Sequence, residues 1–187
     1  MSYVNPNFEK HFGVKATHVF SAPGRTELSG NHTDHQHGKV LAAAVNLEMI
    51  AWVKPNNTTM IRVMSEGYSV ISEIDVTDLE IKENEKNTTN ALIRGVVAKF
   101  IQMGCEVKGF DAYVTSTVLP GSGLSSSAAY ETLIGTIINH LYYGAKATAV
   151  EVAQIGQWAE NVYFGKPCGL MDQTASSVGS MVFIDFN

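Results

Sequence analysis

The 187-residue chain holds only two cysteines, five prolines and two tryptophans. Cys105 and Cys168 lie far apart and form no C-x-x-C pair. Both read as buried thiols of a reducing, cytoplasmic protein. Positive charge is scarce too: 13 Lys and Arg face 18 Asp and Glu, a net charge of −5. That balance excludes broad attraction to nucleic acid or to an anionic membrane. No apolar run reaches the roughly 18 residues that a membrane-spanning helix needs. Residues 1–7, Met-Ser-Tyr-Val-Asn-Pro-Asn, have neither the basic start nor the apolar stretch of a secretion signal. No internal repeat or low-complexity segment is present. What remains is ordinary globular composition, 45% hydrophobic, at a length that suits one domain.

The order of elements points to an α+β fold. A short helix is expected within residues 1–15. His18–Ala22 reads as a strand that Pro23-Gly24 breaks, which puts Arg25 on a polar loop over residues 24–38. Val40–Ala44 is small and apolar, and Leu47–Val53 reads as a strand. Met60–Met64 and Tyr68–Ile74 read as hairpin arms with one solvated face. Residues 75–88 read as a surface connection. Leu92, Val96, Val97 and Phe100 recur at helical spacing within Asn90–Met103, and Gly104 ends that helix. Phe110–Val118 alternates as a strand. Helices follow at Ala128–Tyr142, Thr148–Tyr163 and Met171–Val178, then a strand at Met181–Phe186. Strands first and helices later imply a mixed sheet packed with helices, rather than regular βαβ alternation.

Three stretches carry chemistry. The first is residues 119–131, Leu-Pro-Gly-Ser-Gly-Leu-Ser-Ser-Ser-Ala-Ala-Tyr-Glu. A flexible loop that opens into a helix offers free backbone N–H groups and the positive end of the helix dipole. Gly121, Ser122, Gly123, Leu124, Ser125, Ser126 and Ser127 therefore form a candidate phosphate cradle. The Gly-Lys-Ser/Thr of the common P-loop is missing. The plainer alternative is a tight turn followed by a serine N-cap.

The second stretch is residues 24–38. Arg25 suits bidentate recognition of phosphate or carboxylate. Asn31, His32, Thr33 and Asp34 supply the mixed donors and acceptors that a polyhydroxylated ligand needs, or else form an exposed polar turn. His32, Asp34, His35 and His37 also crowd together, which raises a zinc or iron site and a metal hydrolase as a competing reading.

The third stretch is residues 160–174. Asp172 follows a glycine-broken loop at a helix start, either as a capping or first-turn carboxylate or as a proton acceptor beside Arg25. Glu160 is either a solvated helix charge or a ligand for Mg²⁺.

Taken together, the three stretches resemble the galactokinase branch of the GHMP family of small-molecule kinases. Residues 24–34, Gly-Arg-Thr-Glu-Leu-Ser-Gly-Asn-His-Thr-Asp, are similar to its N-terminal signature. Residues 120–129 are similar to its phosphate-binding motif, and residues 167–173, Pro-Cys-Gly-Leu-Met-Asp-Gln, to the segment bearing its catalytic aspartate. The resemblance implies a GHMP kinase N-terminal domain, of the ribosomal protein S5 domain 2-like type, across residues 1–187. It also implies ATP-dependent phosphorylation of a sugar at the anomeric hydroxyl. Gly121–Ser127 would cradle the nucleotide phosphates, and Ser127 and Glu160 would hold Mg²⁺. Asp172 would be the catalytic base, and Arg25 would stabilise charge and tune Asp172. Asn31, His32, Thr33 and Asp34 would line the sugar pocket.

Two departures bear on the sugar. The family usually has Glu at the position of Asn31 and Tyr at that of His35. Galactose, another hexose, an amino sugar and a uronic acid all remain open. The family also has a second half that this sequence does not reach. The chain is therefore expected to be the N-terminal domain of a longer kinase, inactive alone, with the C-terminal half as its intramolecular partner. The alternative from a different class is a sugar- and ATP-sensing regulator without turnover. The intact serine run and Asp172 favour the enzyme.

Overall fold

The computed structural model describes residues 3–30 and 38–187. Asn31, His32, Thr33 and Asp34, the expected sugar contacts, and with them His35 and His37 of the histidine cluster, lie outside the described residues.

Six strands form one mixed sheet: β1 (His18–Ser29), β2 (Lys39–Pro55), β3 (Met60–Ser65), β4 (Ser72–Asp75), β5 (Phe110–Ser116) and β6 (Met181–Asp185). The order is β1-β2-β5-β3-β4, with β6 also pairing β2. Among the described residues, only the β3–β5 pair is parallel. The helices are α1 (Pro6–Phe12), α2 (Thr89–Gln102), α3 (Ser126–Tyr142), α4 (Ala149–Ala159) and α5 (Met171–Val178). The α+β reading with a mixed sheet holds.

The main core lies between the sheet and the helices. Ala51, Val53, Val63, Ala112 and Val114 from the sheet meet Leu92, Val96 and Phe100 of α2 and Leu133, Ile134 and Ile137 of α3. A smaller cluster on the opposite face joins Phe8 of α1 to Met64 and Tyr113. Hence β5 is buried on both faces, although its sequence alternates. Asp111 is only 3% exposed there, and it is held by a bidentate pair with Arg62 at 2.7 and 2.8 Å.

Three expectations need correction. Pro23-Gly24 does not break β1; the strand runs on to Ser29, so Arg25 sits on a strand and not on a loop. β1 ends the main strand path, so a residue without an N–H can be accommodated where no outer strand needs it. The register shifts between Pro23 and Arg25, an irregularity that re-aims the arginine. Val40–Ala44 and Leu47–Val53 are parts of one strand, β2, which pairs first with β6 and then with β5. The helix expected over Thr148–Tyr163 is α4 only to Ala159; residues Glu160–Phe164 form a π-turn.

Candidate active site

α3 begins where the glycine-rich turn ends. Gly121 and Gly123 both take positive φ, +76° and +78°, which favours glycine at these places. Ser125, the N-cap residue of α3, is also left-handed at φ 58°, and its side chain caps nothing. The serine N-cap alternative therefore fails for Ser125. Its hydroxyl donates instead to Asp172 Oδ2 at 2.6 Å. The first-turn N–H groups of α3 receive no bond from this N-cap side chain, and the dipole of a 17-residue helix stands behind them, an arrangement chemically suited to an anion.

β1 brings Arg25 to this turn. The Arg25 backbone N–H donates to the Leu124 carbonyl at 3.0 Å. Gly24 permits that approach, because a Cβ there would stand 3.0 Å from the Leu124 oxygen and 3.1 Å from Val118. The guanidinium then makes three bonds of 2.7 Å: Nε to Asp172 Oδ1, Nη2 to Asp172 Oδ2, and Nη1 to the Gly123 carbonyl. Arg25 and Asp172 are 147 positions apart in sequence, and the fold joins them in a bidentate pair. Asp172 lies in the first turn of α5, whose N-cap is Leu170, so it does not cap that helix. A carboxylate has about four acceptor positions. Arg25 and Ser125 fill three, and the pair stays partly open, with Asp172's side chain 30% exposed. One acceptor position remains open.

Ser127 and Glu160 meet. Ser127 Oγ donates to Glu160 Oε1 at 3.2 Å, and Lys166 Nζ lies 3.6 Å from the same oxygen. Glu160 is 2% exposed, which excludes the solvated helix charge. A hydroxyl beside a carboxylate is a hard oxygen donor set that fits Mg²⁺, with water and phosphate oxygens completing its shell. The π-turn that begins at Glu160 aims this carboxylate; such turns recur at functional sites.

Sequence reasoning missed two polar residues behind this pair. Gln173 and Glu131 are fully buried, and Gln173 bonds both Glu131 and Glu160. Burial first, and the nearby charge of Glu160 second, push the Glu131 carboxyl well above its ordinary value. One signal was available: Glu131 stands four residues after Ser127, on the same face of the helix, and it is the one acidic residue of α3. Cys168 is half-buried, not buried as expected. Burial and Glu160 push its thiol up, so it is a poor nucleophile.

A pocket of about 360 Å³ opens beside the same helix start. Ser126, Ser127 and Tyr130 of α3 form one wall; Tyr68, Asn87 and Phe164 line it elsewhere. The volume falls within the range of small-molecule sites.

Comparison with known proteins agrees with this geometry. The galactokinase galactose-binding signature matches residues 6–55, and the GHMP kinase N-terminal domain matches residues 91–180. Between them the two account for most of the chain. The chain belongs to the GHMP kinase family. Lactococcus lactis galactokinase, solved with galactose, superposes with a TM-score of 0.87 at 28% identity, over 97% of this chain and 48% of that one. Methanococcus jannaschii mevalonate kinase superposes at 0.75 with 16% identity, over 90% of this chain and 53% of that one, and so shares the fold. The chain spans about half the length of these structures. Among the described residues, no helix is long and apolar enough to cross a membrane.

Proposed function

We propose that this GHMP kinase domain is the N-terminal half of an ATP-dependent sugar 1-kinase of the galactokinase type, working in the cytoplasm. The reaction transfers the γ-phosphoryl group to the anomeric hydroxyl of galactose or a related sugar. The observation that carries the reading is the bidentate Arg25–Asp172 pair beside the start of α3.

The roles follow from position. The glycine-serine turn and the first-turn N–H groups of α3 bind phosphate oxygens, and the adjoining pocket takes the base of the nucleotide. Ser127 and Glu160 would hold Mg²⁺, which would supply charge neutralisation at the phosphates. Asp172 accepts a hydrogen bond from the anomeric hydroxyl, orients it in line, and receives its proton as the new O–P bond forms and the bond to the leaving ADP oxygen breaks. Arg25 fixes the Asp172 carboxylate and adds positive potential at the transferring group. Asn31, His32, Thr33 and Asp34 are the proposed sugar contacts. A C-terminal half supplies the rest of the cleft, so this domain alone is inactive.

The test is an assay of the domain joined to the rest of its reading frame, with Mg²⁺ and ATP over a panel of monosaccharides. The expected outcome is sugar-dependent ADP formation with a sugar 1-phosphate product. Tight binding of sugar and ATP with no phosphate transfer would establish the sensor reading instead.

A further inference from the structure

Behind the Ser127–Glu160 pair, three elements contribute a buried polar triad. Glu131 comes from α3, Glu160 from the turn after α4, and Gln173 from α5; Glu131 and Gln173 are 0% exposed. Gln173 Nε2 donates to Glu160 Oε2 at 2.8 Å and to Glu131 Oε2 at 3.0 Å. A primary amide has two N–H donors, and the two shorter contacts are these carboxyl oxygens; Cys168 Sγ lies farther from the same nitrogen, at 3.6 Å. The reverse amide orientation would set its oxygen against the Glu160 carboxylate, which favours the N–H end facing that oxygen.

This divides the two oxygens of Glu160. Oε2 is tied inward to Gln173, while Oε1 faces Ser127 and Lys166. The space for the triad comes from Gly156 on α4. A Cβ there would stand 3.1 Å from Glu131 Cβ and Oε2, and 3.3 Å from Gln173 Cγ. Burying two carboxyl groups and an amide is costly, and apolar residues would pack these helices at less cost. Gln173 also directly follows Asp172, so one turn of α5 sets both the base and the support of the cation ligand.

We propose that Gln173 and Glu131 are positioning residues for the cation site: Gln173 braces Glu160 against Glu131, so that Glu160 Oε1 is presented to the divalent ion in fixed register with Asp172. The inference rests on the reading of Ser127 and Glu160 as a Mg²⁺ site.

The experiment measures ATP affinity calorimetrically in excess EDTA and in Mn²⁺, and takes the ratio of the two dissociation constants. Gln173→Met keeps the length of the side chain and removes both N–H groups. Glu131→Leu removes the acceptor, and Glu131→Gln keeps one. Gln173→Met and Glu131→Leu are expected to lower the ratio about tenfold, as loss of a residue orienting a metal ligand does. Affinity in EDTA should hold, and Glu131→Gln should stay within about twofold of the unsubstituted chain. Gly156→Ala crowds the triad more gently and should lower the ratio by a smaller factor, which keeps the test open where a larger substitution fails to fold. An unchanged ratio in Gln173→Met and Gly156→Ala overturns the proposal. So does a parallel fall of both affinities with Tm, which marks a packing role only. If Mn²⁺ does not tighten ATP binding to the unsubstituted chain, the cation reading fails and this one fails with it; loss confined to the variants leaves that reading standing.

Discussion

Asp172 shows how much of the chemistry is decided at one side chain. Arg25 holds both of its oxygens and Ser125 donates to one of them. The carboxylate therefore has a fixed orientation and a single open acceptor position. Asparagine at this position keeps the size but loses one acceptor oxygen and the charge. If the proposed function holds, Asp172→Asn in the proposed full-length kinase is expected to lower kcat by about 10²- to 10⁴-fold, the usual contribution of a general base, with little change in KM for ATP. Steady-state kinetics with the preferred sugar provide the check. The residue types of this site were legible in the sequence, since an arginine, a serine-rich turn and an aspartate each stand in recognisable motifs. Their hydrogen bonds were not. Ser125 has the right chemistry for an N-cap, yet its left-handed backbone turns the hydroxyl toward Asp172.

Elements carry the next level of decision, and β1 and α3 are the instructive ones. A proline-glycine pair normally signals a turn, but at a strand facing no outer neighbour it is tolerated, and the irregular register delivers Arg25 to the loop. Gly24→Val adds a Cβ 3.0 Å from the Leu124 carbonyl, with branches beyond it. It is expected to cost about 1–3 kcal/mol by overpacking, and to weaken ATP binding as the loop shifts. Chemical denaturation and nucleotide titration of the variant would show both. In α3, the buried Glu131 carboxyl titrates well above its ordinary value of 4.5. Between those two values the unfolded chain binds fewer protons than the folded chain, so stability falls as pH rises. Its contribution is complete below about pH 4.5 and is lost as pH climbs through the raised value. Glu131→Gln removes this dependence. The Tm of Glu131→Gln minus that of the unsubstituted chain should grow from about pH 5 to about pH 8 in thermal melts. A difference that stays flat over that range would show Glu131 to be charged in the fold.

At the scale of the whole molecule, one sheet with helices on one face and α1 on the other holds the site together. Leu133 of α3 is fully buried in the main core. Leu133→Ala is expected to cost about 2–5 kcal/mol, measured by urea unfolding, because a cavity there loosens α3 from both the sheet and α2. The sequence by itself determined the fold class and the approximate places of the helices, since hydrophobic period and local motif are written within a few consecutive residues. The tertiary structure alone decided that Arg25 rides on a strand, that β5 is covered on both faces, and that Gln173 links Glu131 to Glu160. Those facts depend on contacts between separate segments of the chain, and a pattern confined to one segment carries no record of what another segment will press against it.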